Sequence, residues 1–308
     1  MTLATEREAL VASARDSIAR GSRSFRTASR LFDRETREKA WLLYAWCRAC
    51  DDLADGQDHG GAGLGSPGAE GFDRLARQTE RAIADEPAGD PPFEGLRVLL
   101  AETAIPHRFL RDHLRGCAMD AEGWRPSSEA DLLAYCYHVA GVVGCMMAVV
   151  MGVAPDDEDT LDRACDLGIA FQLANIARDI GEDAAMGRCY IPADWLAGEG
   201  VGNDITGEET RPALAAIAGR LAALAERHRA SARVGAGRLP FRSRWAVLAA
   251  ARIYGQIARD VAAKGEAAWD RRLVVGPGTK LRHLLGAAEE ALSPAPEGGR
   301  GGLWTRPR

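Results

Sequence analysis

Aromatic residues make up only 6% of the 308-residue chain, and long β-branched runs are scarce. That poverty argues against a sheet-rich fold, whereas recurrent Ala, Leu and Arg favour helices. There is no excess of positive charge, since 39 Lys and Arg stand against 44 Asp and Glu for a net charge of -5. A global basic field of the kind that gathers nucleic acid is therefore excluded. The longest nearly uncharged run, "VAGVVGCMMAVVMGV" at 139–153, falls short of the roughly 20 residues that cross a bilayer as a helix. It reads as a buried core helix, and peripheral membrane contact stays open because that needs only an exposed apolar patch. The polar start "MTLATEREALVASARDS" lacks the apolar centre of a secretory signal, so a cytosolic chain with seven reduced thiols is expected.

Other chemistries lack their signatures. Cys47 and Cys50 form a CxxC with no second pair at zinc spacing. The six His show no HExxH arrangement, and the Gly-rich stretch 60–71 has no Gly-Lys-Ser/Thr for a phosphate loop. No internal repeat is visible, which argues against a solenoid.

Helical spacing of apolar residues is present over 7–20, 35–55, 72–84, 94–116, 129–152, 158–184, 210–233, 243–266 and 279–292. Gly, Pro and polar clusters separate these segments. Ser128 with Asp131 reads as a capping pair opening the fifth of them. The tail 293–308 is rich in Pro, Gly and Arg and is expected to be disordered, leaving one helical domain over 1–292.

Two acidic stretches stand out. In "YAWCRACDDLAD", Asp51 and Asp55 lie four apart and project about 40° from one another on a helix, while Asp52 points aside. In "NIARDIGED", Asn175, Asp179 and Asp183 fall at i, i+4 and i+8 and make a stripe of oxygens. Such stacking opposes a helix by a few tenths of a kcal/mol per pair unless a cation intervenes. A solvated face is the bland explanation of either stretch alone. Two together, the second flanked by apolar sequence, point to a hard divalent ion such as Mg²⁺. Arg48, Arg178 and Arg188 are interleaved with them, and guanidinium grips phosphate through paired bonds. Carboxylates, Mg²⁺ and arginines describe a diphosphate site; Arg178 serves equally well to pair with Asp179 or Glu182.

At these residues the chain resembles the squalene and phytoene synthase family, through "GSRSF" (21–25), "YAWCRACDDLAD", "YCYHVAGVVG" (135–144), "FQLANIARDIGEDAAMGRCYIP" (171–192) and "AWDRRLVVGPGTKL" (268–281). The resemblance implies a single all-α isoprenoid-synthase bundle around a central cavity, with Asp51, Asp55, Asn175, Asp179 and Asp183 as metal ligands. It places Ser24, Arg48, Arg188 and Arg272 at the diphosphates and makes Tyr135, Arg178 and Tyr190 catalytic. It further implies head-to-head joining of two prenyl diphosphates with Mg²⁺, or Mn²⁺, and without NADPH. "GEDAAMGRCYIP" is most similar to bacterial phytoene synthases, which take geranylgeranyl diphosphate through a cyclopropyl intermediate. The alternatives are a dehydrosqualene or presqualene diphosphate synthase using farnesyl diphosphate, a class I terpene cyclase, and a non-catalytic helical partner. Tyr135 would steer the cation or pack as a core tyrosine. Gly141 and Gly144 are expected to leave room for isoprenoid chains, and small Ala28 and Ser29 to deepen the pocket for twenty carbons.

Overall fold

The computed structural model describes residues 3–21, 27–55, 69–202 and 204–308, without the side chains of 3–4, 53–55 and 69–70. No strand occurs among the described residues. The fold is all-α, and the chain divides into two compact units: Met1–Glu122 with Cys145–Glu158, and Gly123–Gly144 with Asp159–Arg308.

In the first unit, α1 (Leu3–Gly21), α2 (Arg34–Asp55), α3 (Ala69–Ile83), α4 (Pro91–Glu102) and α5 (His107–Ala121) follow one another. Helix α2 packs against the other four. Its Leu42, Leu43, Trp46 and Cys50 recur at three- and four-residue spacing and are at most 1% exposed, so a full apolar stripe faces inward. The Trp46 indole donates to Thr79 Oγ1 at 3.2 Å, which satisfies the polar edge of a fully buried ring. Helix α4 opens on two prolines, whose missing N–H groups cost nothing in a first turn. The periodicity over 94–116 predicted one helix, but the chain breaks between Glu102 and His107. Pro106 explains it: a proline cannot donate within a helix and pushes the preceding Ile105 towards extended backbone.

In the second unit, α6 (Glu129–Cys136) opens with the expected capping box, Ser128 accepting from the Asp131 N–H while Asp131 receives the Ser128 N–H. It continues as a π-helical turn, Tyr137–Gly141, in which the Val142 N–H donates to Tyr137 O, and then as α7 (Val142–Val150), of which Cys145–Val150 belongs to the first unit. Then come α8 (Glu158–Ala185), α9 (Ala193–Gly198), α10 (Arg211–Ala236), α11 (Phe241–Lys264) and α12 (Pro277–Leu292). The last three pack in sequence, α10 on α11 and α11 on α12. Glu290 of α12 ties them together by accepting from Arg233 at 2.5 Å and Arg252 at 2.9 Å. The stretch Glu129–Val150 is apolar enough to cross a membrane by composition, but Val142, Cys145 and Met146 are fully buried in protein, as a core helix requires.

Gly141 and Gly144 do not open space. A Cβ on Gly144 would lie 2.3 Å from the Ala164 carbonyl, and one on Gly141 would lie 2.9 Å from Cys165 Sγ. On the other side of the crossing, a Cβ on Gly168 would lie 2.1 Å from the Ala140 carbonyl. These glycines let two backbones touch, so the room expected for isoprenoid chains is filled by α8. Gly168→Ala is accordingly expected to cost about 3 kcal/mol or more through forced backbone displacement. Gly219→Ala on α10, where a Cβ meets nothing within 4 Å, should instead stabilise by about 0.5–1 kcal/mol. Urea unfolding of both variants checks the contrast, and equal midpoints would refute the close crossing.

The tail 293–308, whose composition reads as disorder, is held by charge. Arg300 donates to Asp166 through Nε at 2.7 Å and to Asp162 through Nη1 at 3.1 Å. Arg306, itself 2% exposed, pairs with Asp162 at 2.9 Å, and Arg308 does the same. Arg163 returns a bond to the Gly298 carbonyl, and Trp304 packs against Tyr137. Gly and Pro weaken regular structure, but they do not prevent arginines from settling on two buried carboxylates.

Candidate active site

Helix α8 is unbroken through Asn175, Asp179 and Asp183, so successive oxygens rise about 6 Å along one face. Apolar neighbours on other faces fix its orientation: Leu173, Ile176, Ala177 and Ile180 are buried, whereas Asn175, Asp179 and Asp183 are half-buried. The repulsion that the spacing implies is met by arginine. Arg178 Nε donates to Asp179 Oδ1 at 2.7 Å, and its Nη2 bonds the other oxygen. Of the two roles open to Arg178, this is the ion pair. Arg272 approaches from beyond α11, with Nη2 3.4 Å from Asp179 Oδ1 and Nη1 bonded to Glu182. Burial pulls the Arg178 guanidinium down, but the bonds to Asp179 outweigh it and hold the group above its usual value, fully charged.

One aromatic side chain packs on the helix of this stripe and an aromatic stack follows beyond its end, and sequence reasoning found only part of each. Trp269 Nε1 donates to the Ala177 carbonyl at 3.1 Å, and its side chain lies against Gly181. That contact anchors the segment carrying Arg272. Beyond the end of α8, a turn with Gly187 at φ +74° is clamped by Arg125 Nη2 on the Gly187 carbonyl, leading to Arg188 and Tyr190. Tyr190 stacks on Tyr135 at 4.9 Å, and Tyr135 stacks on Trp124 at 5.5 Å. Tyr135 is 3% exposed, so its ring packs between its aromatic neighbours in a dry place. Trp124 was legible only as part of a loop.

A cavity of about 150 Å³ lies between α8, α10 and α11, lined in part by Phe171, Ala174, Tyr254, Gly255, Arg229 and Arg259. Phe171 and Tyr254 stack at 4.1 Å there, and burial pushes the Tyr254 phenol up against the opposing pull of Arg178. At half the ~300 Å³ where small-molecule pockets begin, it does not by itself house a prenyl chain.

The first unit carries the other acidic stretch. Arg48 Nη2 pairs with Asp52 Oδ1 at 2.5 Å, the acid expected to point aside. Asp51 is exposed and shares a cluster with His113 and Cys117, whose ligand atoms lie within 4.8 Å of one another. That grouping was missed because His113 and Cys117 lie on α5, more than fifty residues away. Burial pushes the Cys47 and Cys50 thiols well above their usual range, so the CxxC stays protonated and packs. Ser24 and the side chain of Asp55 lie outside the described residues.

Ser29 does not face open space either. It is fully buried, and its Oγ accepts from Trp41 Nε1 at 3.1 Å. Ser29→Phe would overfill this contact and strand the indole, so we expect a stability loss of about 2–4 kcal/mol rather than a clean change of substrate. Thermal melting of the variant decides it, and an unchanged midpoint would place the position back on a pocket wall.

As a donor set, the α8 stripe offers oxygens alone, which suits Mg²⁺ or Mn²⁺ and not a thiophilic metal. Its arginines suit diphosphate. The comparisons agree with that chemistry. The squalene/phytoene synthase family pattern matches residues 18–279. The 15-cis-phytoene synthase of Pantoea ananas is 45% identical over 283 residues, 90% of this chain and 91% of that protein. The phytoene synthase of Pseudescherichia vulneris is 44% identical over 305 residues, 96% and 97% respectively. A dehydrosqualene synthase solved in complex with ligand is similar in structure, with a TM-score of 0.83 at 27% identity over 92% of this chain and 97% of that one.

Proposed function

The chain belongs to the squalene/phytoene synthase family, and from that premise we propose that it joins two geranylgeranyl diphosphates head to head, giving phytoene and releasing both diphosphates. The observation that carries this reading is Asp179, a half-buried carboxylate in an all-oxygen stripe, gripped by two guanidinium groups. Carboxylate oxygens beside guanidinium groups are the donor set that a metal-bound diphosphate takes, which supports the reading.

Asn175, Asp179 and Asp183 would hold Mg²⁺ or Mn²⁺, and Asp51 and Asp55 would be a second set of ligands, as the family resemblance implies. When bound, the ion neutralises charge building on the leaving diphosphate. Arg178, Arg188 and Arg272 orient the diphosphate, with Arg48 and Ser24 in the same role. Arg272 is 53% exposed and so is placed to swing from Asp179 to an arriving phosphate. An allylic cation formed by diphosphate loss is captured by the C2=C3 bond of the second substrate, and loss of a proton from C1 of the ionised substrate closes the ring to give a cyclopropyl intermediate. A second ionisation joins C1 to C1, and proton loss ends the sequence without hydride, so no NADPH is needed. The stack of Trp124, Tyr135 and Tyr190 excludes water and presents π faces to positive charge, with Tyr135 and Tyr190 closest to the steering role.

The fifteen-carbon reaction of a dehydrosqualene synthase is the second reading, supported by the shared fold at 27% identity, against 45% for a phytoene synthase. Purified protein incubated with Mg²⁺ and either farnesyl or geranylgeranyl diphosphate, with and without NADPH, distinguishes them by the hydrocarbon formed. A forty-carbon product independent of NADPH is expected. Such a product has no aqueous refuge, so contact with a lipid surface belongs to the same reading.

A further inference from the structure

We infer that the outward face of α12, with the loop leading into it, is a docking surface for an anionic lipid bilayer. Leu281, Leu285 and Leu292 recur at i, i+4 and i+11 and therefore project within about 40° of one another. They are 57%, 63% and 77% exposed, and Val274 just upstream is 75% exposed. The opposite face, His283, Ala287 and Ala291, is buried. Helix α12 thus satisfies its own packing and still presents a row of leucines to the outside, which a helix needing only to pack does not require. The first turn of α11 extends the patch. Phe241 is 45% exposed, and the neighbouring Trp245 donates to the Leu284 carbonyl at 2.9 Å, locking the two elements side by side.

Charge identifies the occupant. From Arg271 to Ala288 the sequence holds Arg271, Arg272, Lys280 and Arg282 and no acid, in a chain whose net charge is -5. The only other titratable group in that stretch is His283, which burial, reinforced by nearby arginines, pushes below its usual value and so towards neutrality. Arg242 beside Phe241 adds a further exposed cation; the exposed acids flanking the stretch are Glu289 and Asp270, the latter bonded to Arg211. Leucines and aromatics ringed by Lys and Arg match an interfacial helix on anionic headgroups. A protein partner would need no such predominantly basic rim. The position is also apt: Val274 lies two residues from Arg272, so the apolar surface begins within about 7 Å of chain from the guanidinium that touches Asp179.

The role of this surface in collecting or releasing isoprenoids rests on the proposed activity, but the binding does not. The test is flotation of the full chain with phosphatidylcholine vesicles, alone or mixed with phosphatidylserine, at low and high salt. Wild-type protein should float with the mixed vesicles, and high salt should weaken binding by about tenfold. Leu281→Glu/Leu285→Glu should lower vesicle affinity about tenfold or more while leaving hydrocarbon formation in detergent micelles unchanged. Lys280→Glu/Arg282→Glu should abolish the preference for phosphatidylserine. Wild-type protein that floats with neither vesicle, or leucine variants that float like wild type, would overturn the assignment. So would a dimer on size exclusion that the leucine variant dissociates, since the face would then belong to a second copy. Vesicle binding without any hydrocarbon from either diphosphate would retire the activity and leave the surface standing.

Discussion

Asp179→Asn is expected to lower turnover by about 10²–10³-fold with little change in melting temperature, the scale seen when one preorganised electrostatic group is removed from a charged transition state. Asparagine keeps the shape and can still accept from Arg178, so the folded helix retains a partner for that guanidinium. What it loses is the negative charge that a divalent ion requires. The Mg²⁺ concentration for half-maximal rate should therefore rise along with the fall in turnover. Glu182→Gln, one turn on and 46% exposed, should alter the rate by no more than a few-fold, because solvent already screens it. A Mg²⁺ titration of steady-state rates on both variants reads this directly. Wild-type turnover by Asp179→Asn would remove the α8 stripe from the chemistry.

Arg300→Met is expected to cost about 3–5 kcal/mol, because it leaves Asp166, 0% exposed, without its guanidinium. For a chain of this length the melting temperature should fall by about 6–10 °C. Burial pulls the Asp166 carboxyl upward, but bonds from His228, Arg300 and Ser231 outweigh it and hold the group below the usual range. A carboxyl depressed in the folded state adds stability that is present above its unfolded pKa and is lost as the pH falls through its folded one. Acid unfolding of the wild type should accordingly begin below about pH 4. In the variant it should begin at higher pH. Adding Asp166→Asn to Arg300→Met should recover part of the loss, as expected of two groups that serve each other. Additive losses in that cycle would mean that Arg300 contributes only packing.

Much of this was readable from the residues. The i, i+4, i+8 stripe of Asn175, Asp179 and Asp183 is a matter of helical arithmetic, and Ser128 with Asp131 needs no partner outside its own turn. The break at Pro106 was readable too, yet strong apolar periodicity on both sides concealed it. What escaped was tertiary. That Asp179 receives Arg272 depends on Trp269 seating its segment on Ala177, far off in sequence. A glycine looks the same in sequence whether it opens space or admits another backbone, so the role of Gly144 waited on Ala164. Ser29 is small because Trp41 needs its oxygen, and the arginines of the tail gain order only from Asp162 and Asp166.

The π turn at Tyr137–Gly141 sets the phase of everything downstream of it. Deleting one residue there would let the stretch wind as ordinary α-helix with the following side chains still in phase, because the wider turn is what absorbs the extra residue. Gly144 would then keep its place against the Ala164 carbonyl. Forcing all five residues into α-helical winding without a deletion would instead turn the downstream side chains by about 100° and carry Gly144 off that contact.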